Sequence, residues 1–128
     1  MEVTAGVAAI LLAAIAVFQV ALAFGAPLGK VAWGGQHEGV LPNRLRIASG
    51  VAGFLIYPLI VVAILDSAGL IEANFVPGTG AQLMWVFTGL FTLGGIANLV
   101  SRSPLERYWA PVSIAIGICC AVIAWLLR

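Results

Sequence analysis

The sequence predicts an all-α protein, a bundle of four transmembrane helices built as two helical hairpins. Three observations carry that prediction. The 128-residue chain is 62% hydrophobic, with a mean hydropathy of +1.13. Only 9% of its residues are charged, against about 25% in ordinary soluble domains. The apolar residues also gather into four runs, each close to the roughly 20 residues that cross about 30 Å of hydrocarbon. The runs are Val3 to Phe24, Leu45 to Leu65, Ala81 to Val100 and Tyr108 to Leu127, and none has a charge in its apolar core. Residues 1–128 therefore read as a single integral membrane domain whose solvent is the lipid bilayer.

The first run could be mistaken for a cleaved leader. It has no Lys or Arg before it, only Glu2, and it exceeds the roughly 7–15 residues of a signal-peptide core. It is expected to be a retained helix, closed by Gly25, Ala26 and Pro27. The second run opens at Pro42-Asn43, with Asn43 the expected cap, and Pro58 is expected to kink it. Thr79 and Gln82 have capping-box spacing for the third run. Ser103-Pro104-Leu105-Glu106 has the same spacing for the fourth, with proline at the first helical position. Glu106 is thus expected to serve as a structural cap.

Short connectors remain: Gly25 to Arg44, Asp66 to Gly80 and Ser101 to Arg107. Lys30, Arg44 and Arg46 sit in or beside the first, and Arg102 and Arg107 in the third. The opposite side has only Arg128, so the count is five against one. The positive-inside rule then puts the first and third connectors in the cytoplasm and both chain ends outside. Trp33, Trp85, Trp109 and Trp125 fall near helix ends, as an aromatic belt requires.

This topology brings polar residues of two connectors to one face. Trp33, His37, Glu38, Arg44 and Arg46 come from the first, and Asn98, Arg102 and Arg107 from the third helix and its connector. They are the candidate ligand-binding residues. Arginine's planar fork of donors matches carboxylate and phosphate, and His37 beside Glu38 offers acid–base chemistry near neutrality. No residue reads as catalytic from a motif: there is no P-loop, dinucleotide fingerprint, GxSxG or HExxH. No cofactor is implied. Metal binding fails because one histidine and two adjacent cysteines cannot supply zinc's ligand set. A net charge of +1 excludes a broad nucleic-acid-binding surface.

Within the spans, polar groups are few. Gln19 and Asn98 are expected to hydrogen-bond across helices. No ionisable residue lies at mid-depth, which argues against a proton relay or ion pump. Cys119 and Cys120 read as packing residues. The small residues Ala5, Ala9 and Ala13, the pair Ser49 and Gly53, and Gly89, Gly94 and Gly95 mark expected packing faces. They would serve the bundle, a homo-oligomer or a partner membrane subunit equally.

FQVALAFGAPLGKVAWGGQHEGVLPNRLRIASG resembles the first hairpin of small four-helix bacterial membrane proteins of unknown function, those of actinobacteria above all. NLVSRSPLERYWAPVS resembles their last connector. In size and helix count the chain is also similar to DoxX-like proteins. The resemblance covers most of the layout. It implies an integral protein of the bacterial cytoplasmic membrane and assigns no catalytic residue.

Three functions compete. The first is a small non-enzymatic accessory or structural protein, acting through helix packing with itself or partner subunits. The second is a binder or carrier of a small anionic or amphipathic molecule at the cytoplasmic connectors, which requires Arg44, Arg102 and Arg107 to converge. The third is a membrane enzyme using His37 and Glu38, which requires that histidine within reach of a carboxylate in a cleft. The orientation has its own test. In a background lacking Cys119 and Cys120, Glu72→Cys is expected to label from outside and Gln36→Cys only after the membrane is permeabilised. Labelling of both from outside would refute the assignment.

Overall fold

The computed structural model describes residues 1–75 and 78–128. It is all-helical among those residues, with four helices long and apolar enough to cross a membrane. Helix α1 spans Glu2–Ala23 and α2 spans Asn43–Ser67. Helix α3 spans Gly80–Leu99 and α4 spans Trp109–Leu127, entered through a 3-10 turn at Glu106–Tyr108. The expected runs differ from these by one to two residues at most ends, because hydropathy locates the apolar stretch and not the hydrogen-bonded turn that closes it.

The helices close three sides of a square. α1 packs against α2 and α4, and α3 packs along α4 for most of its length. The α2–α3 side is touched only sparsely. Connectors one and three meet at one end of the bundle, here called the basic end. The buried face of α1 follows helical spacing through Ala5, Ala8, Leu12, Ile15 and Leu22. This corrects the expected strip of Ala5, Ala9 and Ala13, since Ala13 is exposed. Size alone does not distinguish a packed alanine from one facing lipid.

The pair Ser49 and Gly53 does pack, and for a steric reason. A Cβ added to Gly53 would lie 2.8 Å from the Ala16 carbonyl oxygen and 2.8 Å from Val20 Cγ2. α2 therefore rests directly on the α1 backbone. Gly95 does the same for α3 on α4, where its Cβ would meet Ile114 Cγ1 at 2.6 Å. Gly89 and Gly94 have no atom within 4 Å of such a Cβ, so they are not packing glycines.

The disturbance expected from Pro58 takes a specific form. Residues Ala52–Ile56 make a π-helical turn, and regular α-helix resumes at Tyr57. Proline has no N–H to donate to the preceding turn, and the wider turn lies where that bond is missing. α1 closes as expected on left-handed Gly25, with the N–H groups of Gly25 and Ala26 donating to the Leu22 and Ala21 carbonyls, whereas the starts of α2 and α3 depart from the expected caps. Asn43 is the first residue of α2, with Pro42 at the cap position. Thr79 occupies the cap position of α3 without a side-chain bond. One acceptor at the end of α1 is met from further along the chain: Arg46 Nε donates to the Ala23 carbonyl at 3.1 Å, as a cation at a helix C-terminus should. At the opposite end, Asp66 accepts from the backbone N–H of Ala73 and Phe75 at 3.1 and 2.8 Å.

Overpacking a tight site costs about 1–3 kcal/mol or more. Gly53→Leu is therefore expected to lower the thermal midpoint in detergent by several degrees, while Gly89→Leu leaves it unchanged or raises it. Equal effects of the two would contradict the close approach of α2 to α1.

Candidate functional site

Connector one is folded by a run of left-handed backbone. Trp33 has φ +52°, unusual for a residue with a side chain, followed by Gly34 at +78° and Gly35 at +68°. The Trp33 ring compensates for its backbone: Nε1 donates to the buried Ser49 Oγ on α2 at 2.9 Å. Gly35 must be glycine twice over, since a Cβ there would also collide with the Ser103 side chain.

Connector three reaches across to this fold. The Glu106 carboxylate is buried. It accepts the Gly34 N–H at 3.3 Å on one oxygen and the Ser101 hydroxyl at 2.8 Å on the other. The Ser103 hydroxyl donates to the Lys30 carbonyl. Arg107 Nε donates to the Ser101 carbonyl at 2.9 Å. The expected capping box is therefore absent. Ser103 and Glu106 bond to connector one and to Ser101, and their work is to clasp two connectors.

Behind the clasp, towards the basic end, lies a cavity of about 440 Å³. It occupies the sparse α2–α3 side. Its walls are largely apolar: Ile15 and Phe18 of α1, Ile56 and Ile60 of α2, Leu90, Phe91 and Gly94 of α3. Polar groups come from Gln19, Tyr57, Asn98, Trp109 and Ser113, with Trp33 and Glu106 at the connectors. The π turn of α2 borders it through Ala52 and Ile56. Such turns are frequent at functional sites. This is the size and character of a small-molecule site, mostly apolar with a few polar groups.

Two of those polar groups are unsatisfied. Gln19 Oε1 and Trp109 Nε1 are buried with no hydrogen-bond partner among the described residues. Each such atom costs about 1–3 kcal/mol when left unpaired. The Trp109 ring itself is well held, tilted against Phe18 at 4.8 Å between centroids. The expectation that Gln19 and Asn98 bridge helices is thus corrected. Neither side chain makes a hydrogen bond to another helix among the described residues; both line the cavity instead.

The structure sorts the candidate residues sharply. Trp33 and Asn98 line the cavity. Arg44, Arg102 and Arg107 are exposed and none lines it. Arg46 is committed to the end of α1. His37 is half-buried, and its ring has no hydrogen bond to a carboxylate among the described residues. Its neighbour Glu38 turns outward to Lys30 Nζ at 3.6 Å, an exposed pair of little energetic weight. Sequence reasoning passed over Trp109 as a belt residue and Glu106 as a cap. The only available signal was a polar atom in an apolar run with no partner at helical spacing. The chain matches no protein-family model, no curated protein and no solved structure.

A hydrogen bond to a charged group contributes about 1.5–3 kcal/mol. Glu106→Ala is therefore expected to raise amide exchange at Gly34 and Gly35 by roughly tenfold or more, with α1 mid-helix amides unchanged. Unaltered exchange in connector one would show that the clasp does not hold it.

Proposed function

We propose that the protein is a membrane-embedded binder of a small amphipathic molecule, seated in the seam between α2 and α3. One observation carries this reading. A mostly apolar cavity of about 440 Å³ is lined by two residues whose buried polar atoms have no partner. A bundle that served only as packing material would gain by closing that space, because voids forfeit dispersion contacts and orphaned polar groups raise the energy. A ligand with an apolar body and a hydrogen-bonding head corrects both defects at once. The amphipathic form of the binder is favoured over the anionic one, since among the described residues no arginine or lysine side chain lines the cavity. The enzyme reading has no His–carboxylate pair among the described residues to support it. The reading takes the membrane to be the bacterial cytoplasmic membrane and both chain ends to lie outside, on the strength of the Lys and Arg distribution and the sequence resemblance.

Gly94 offers the test. It lines the cavity, and open space surrounds the position of a Cβ. Gly94→Leu should fill the seam without harming the helix, where leucine is favoured over glycine by roughly 0.5–1 kcal/mol. Native mass spectrometry of the wild type, released gently from its own membrane, is expected to show one lipid-like adduct per chain. The variant should lose at least nine-tenths of it with its thermal midpoint kept. An undiminished adduct in the variant, or a wild type that carries only a second polypeptide at fixed stoichiometry, would overturn the proposal and favour the accessory role.

A further inference from the structure

Resting on the binding role just proposed, the chemistry of the cavity also selects the head group. We infer that the occupant is a long-chain amphiphile with an uncharged hydroxyl head, whose oxygen accepts from Trp109 Nε1 and whose proton is donated to Gln19 Oε1.

The indole N–H is a donor only, so Trp109 requires an acceptor. The Gln19 oxygen requires a donor. Both atoms are buried and unpartnered, on residues that line the same cavity. A hydroxyl head carries both functions, an acceptor for the indole and a donor for the amide oxygen. A hydrocarbon satisfies neither, and a ketone satisfies only Trp109. An ammonium head has donors alone and leaves the indole unpaired.

Anionic heads meet a further obstacle. The buried Glu106 carboxylate lines the cavity, and both of its oxygens already accept hydrogen bonds. A phosphate or carboxylate head would be set near a like charge in a medium of low dielectric, where repulsion is strong. Among the described residues no cationic side chain lines the cavity to offset it. The tail follows from the walls. Ile56 and Ile60 on one side and Leu90 and Phe91 on the other form an apolar slot on the side of the bundle where α2 and α3 scarcely touch. A chain can therefore enter sideways from the bilayer with its head leading towards Trp109.

Four probes with one tail test this: 1-dodecanol, dodecane, dodecyl phosphate and dodecylamine. Each is titrated into the delipidated full-length protein in nanodiscs and read by native mass spectrometry. Dodecanol is expected to bind at least tenfold more tightly than the other three. Trp109→Phe keeps the ring and removes the donor, so it should abolish most of that preference while dodecane binding stays within twofold. Gln19→Leu supplies an independent variant should Trp109→Phe fold poorly, and it too should lose the preference. If dodecanol binds no better than dodecane or dodecyl phosphate, or if neither variant alters the preference, the hydroxyl assignment is wrong while the cavity remains a binding site. If none of the four binds the wild type, the binding role itself falls, and the head-group assignment with it.

Discussion

Glu106 and Gly34 are 72 residues apart in sequence, yet the hydrogen bond between them decides how the two hairpins sit at the basic end. A buried carboxylate without a cationic partner is costly, and it persists here because both oxygens are occupied by donors. One of those donors is a backbone N–H freed by the left-handed run at Trp33 to Gly35. That run brings the Trp33 indole onto Ser49 and leaves room for Ser103 against Gly35. Each of these contacts needs the others. Connector one would have no reason to adopt three consecutive positive φ values without the acceptors that connector three and α2 supply.

The same arrangement explains why the bundle is closed on three sides and loose on the fourth. α2 is drawn onto α1 by the bare backbone at Gly53, and α3 onto α4 by that at Gly95. Within lipid there is no hydrophobic force to press the remaining faces together, because acyl chains are as apolar as leucine. Only close packing or hydrogen bonds could close the α2–α3 side. The side chains there include the bulky Ile56, Ile60, Leu90 and Phe91, which line the cavity. The π turn before Pro58 shapes the same border. A cavity with polar corners is thus a consequence of how the two tight interfaces are placed. The proposed ligand would supply the contacts that the seam lacks.

Much of this is legible in the sequence. The four spans and their connectors follow from hydropathy, and Ser49 with Gly53 was readable as a packing pair. The misreadings share one cause. Ser103 and Glu106 have capping-box spacing, yet they bond to the Lys30 carbonyl and the Gly34 N–H of connector one. Ala9 and Ala13 have the same size as Ala5 and Ala8, yet only the latter pair is buried. Gln19 and Asn98 look like interhelical bridges, yet among the described residues neither side chain hydrogen-bonds to another helix; both line the cavity.

The sequence by itself determined that this chain belongs in a bilayer, where its spans lie to within one or two residues, and which connectors carry the positive charge. Those properties are sums over neighbouring residues: transfer free energies add locally, and a helix satisfies its own backbone whatever surrounds it. The tertiary structure alone decided which faces touch, which buried polar atoms find partners and where the space between helices remains. Those outcomes depend on atoms far apart along the chain, and in a solvent as apolar as the side chains themselves hydrophobicity cannot choose among faces. Backbone clearance at single glycines and a handful of hydrogen bonds make that choice.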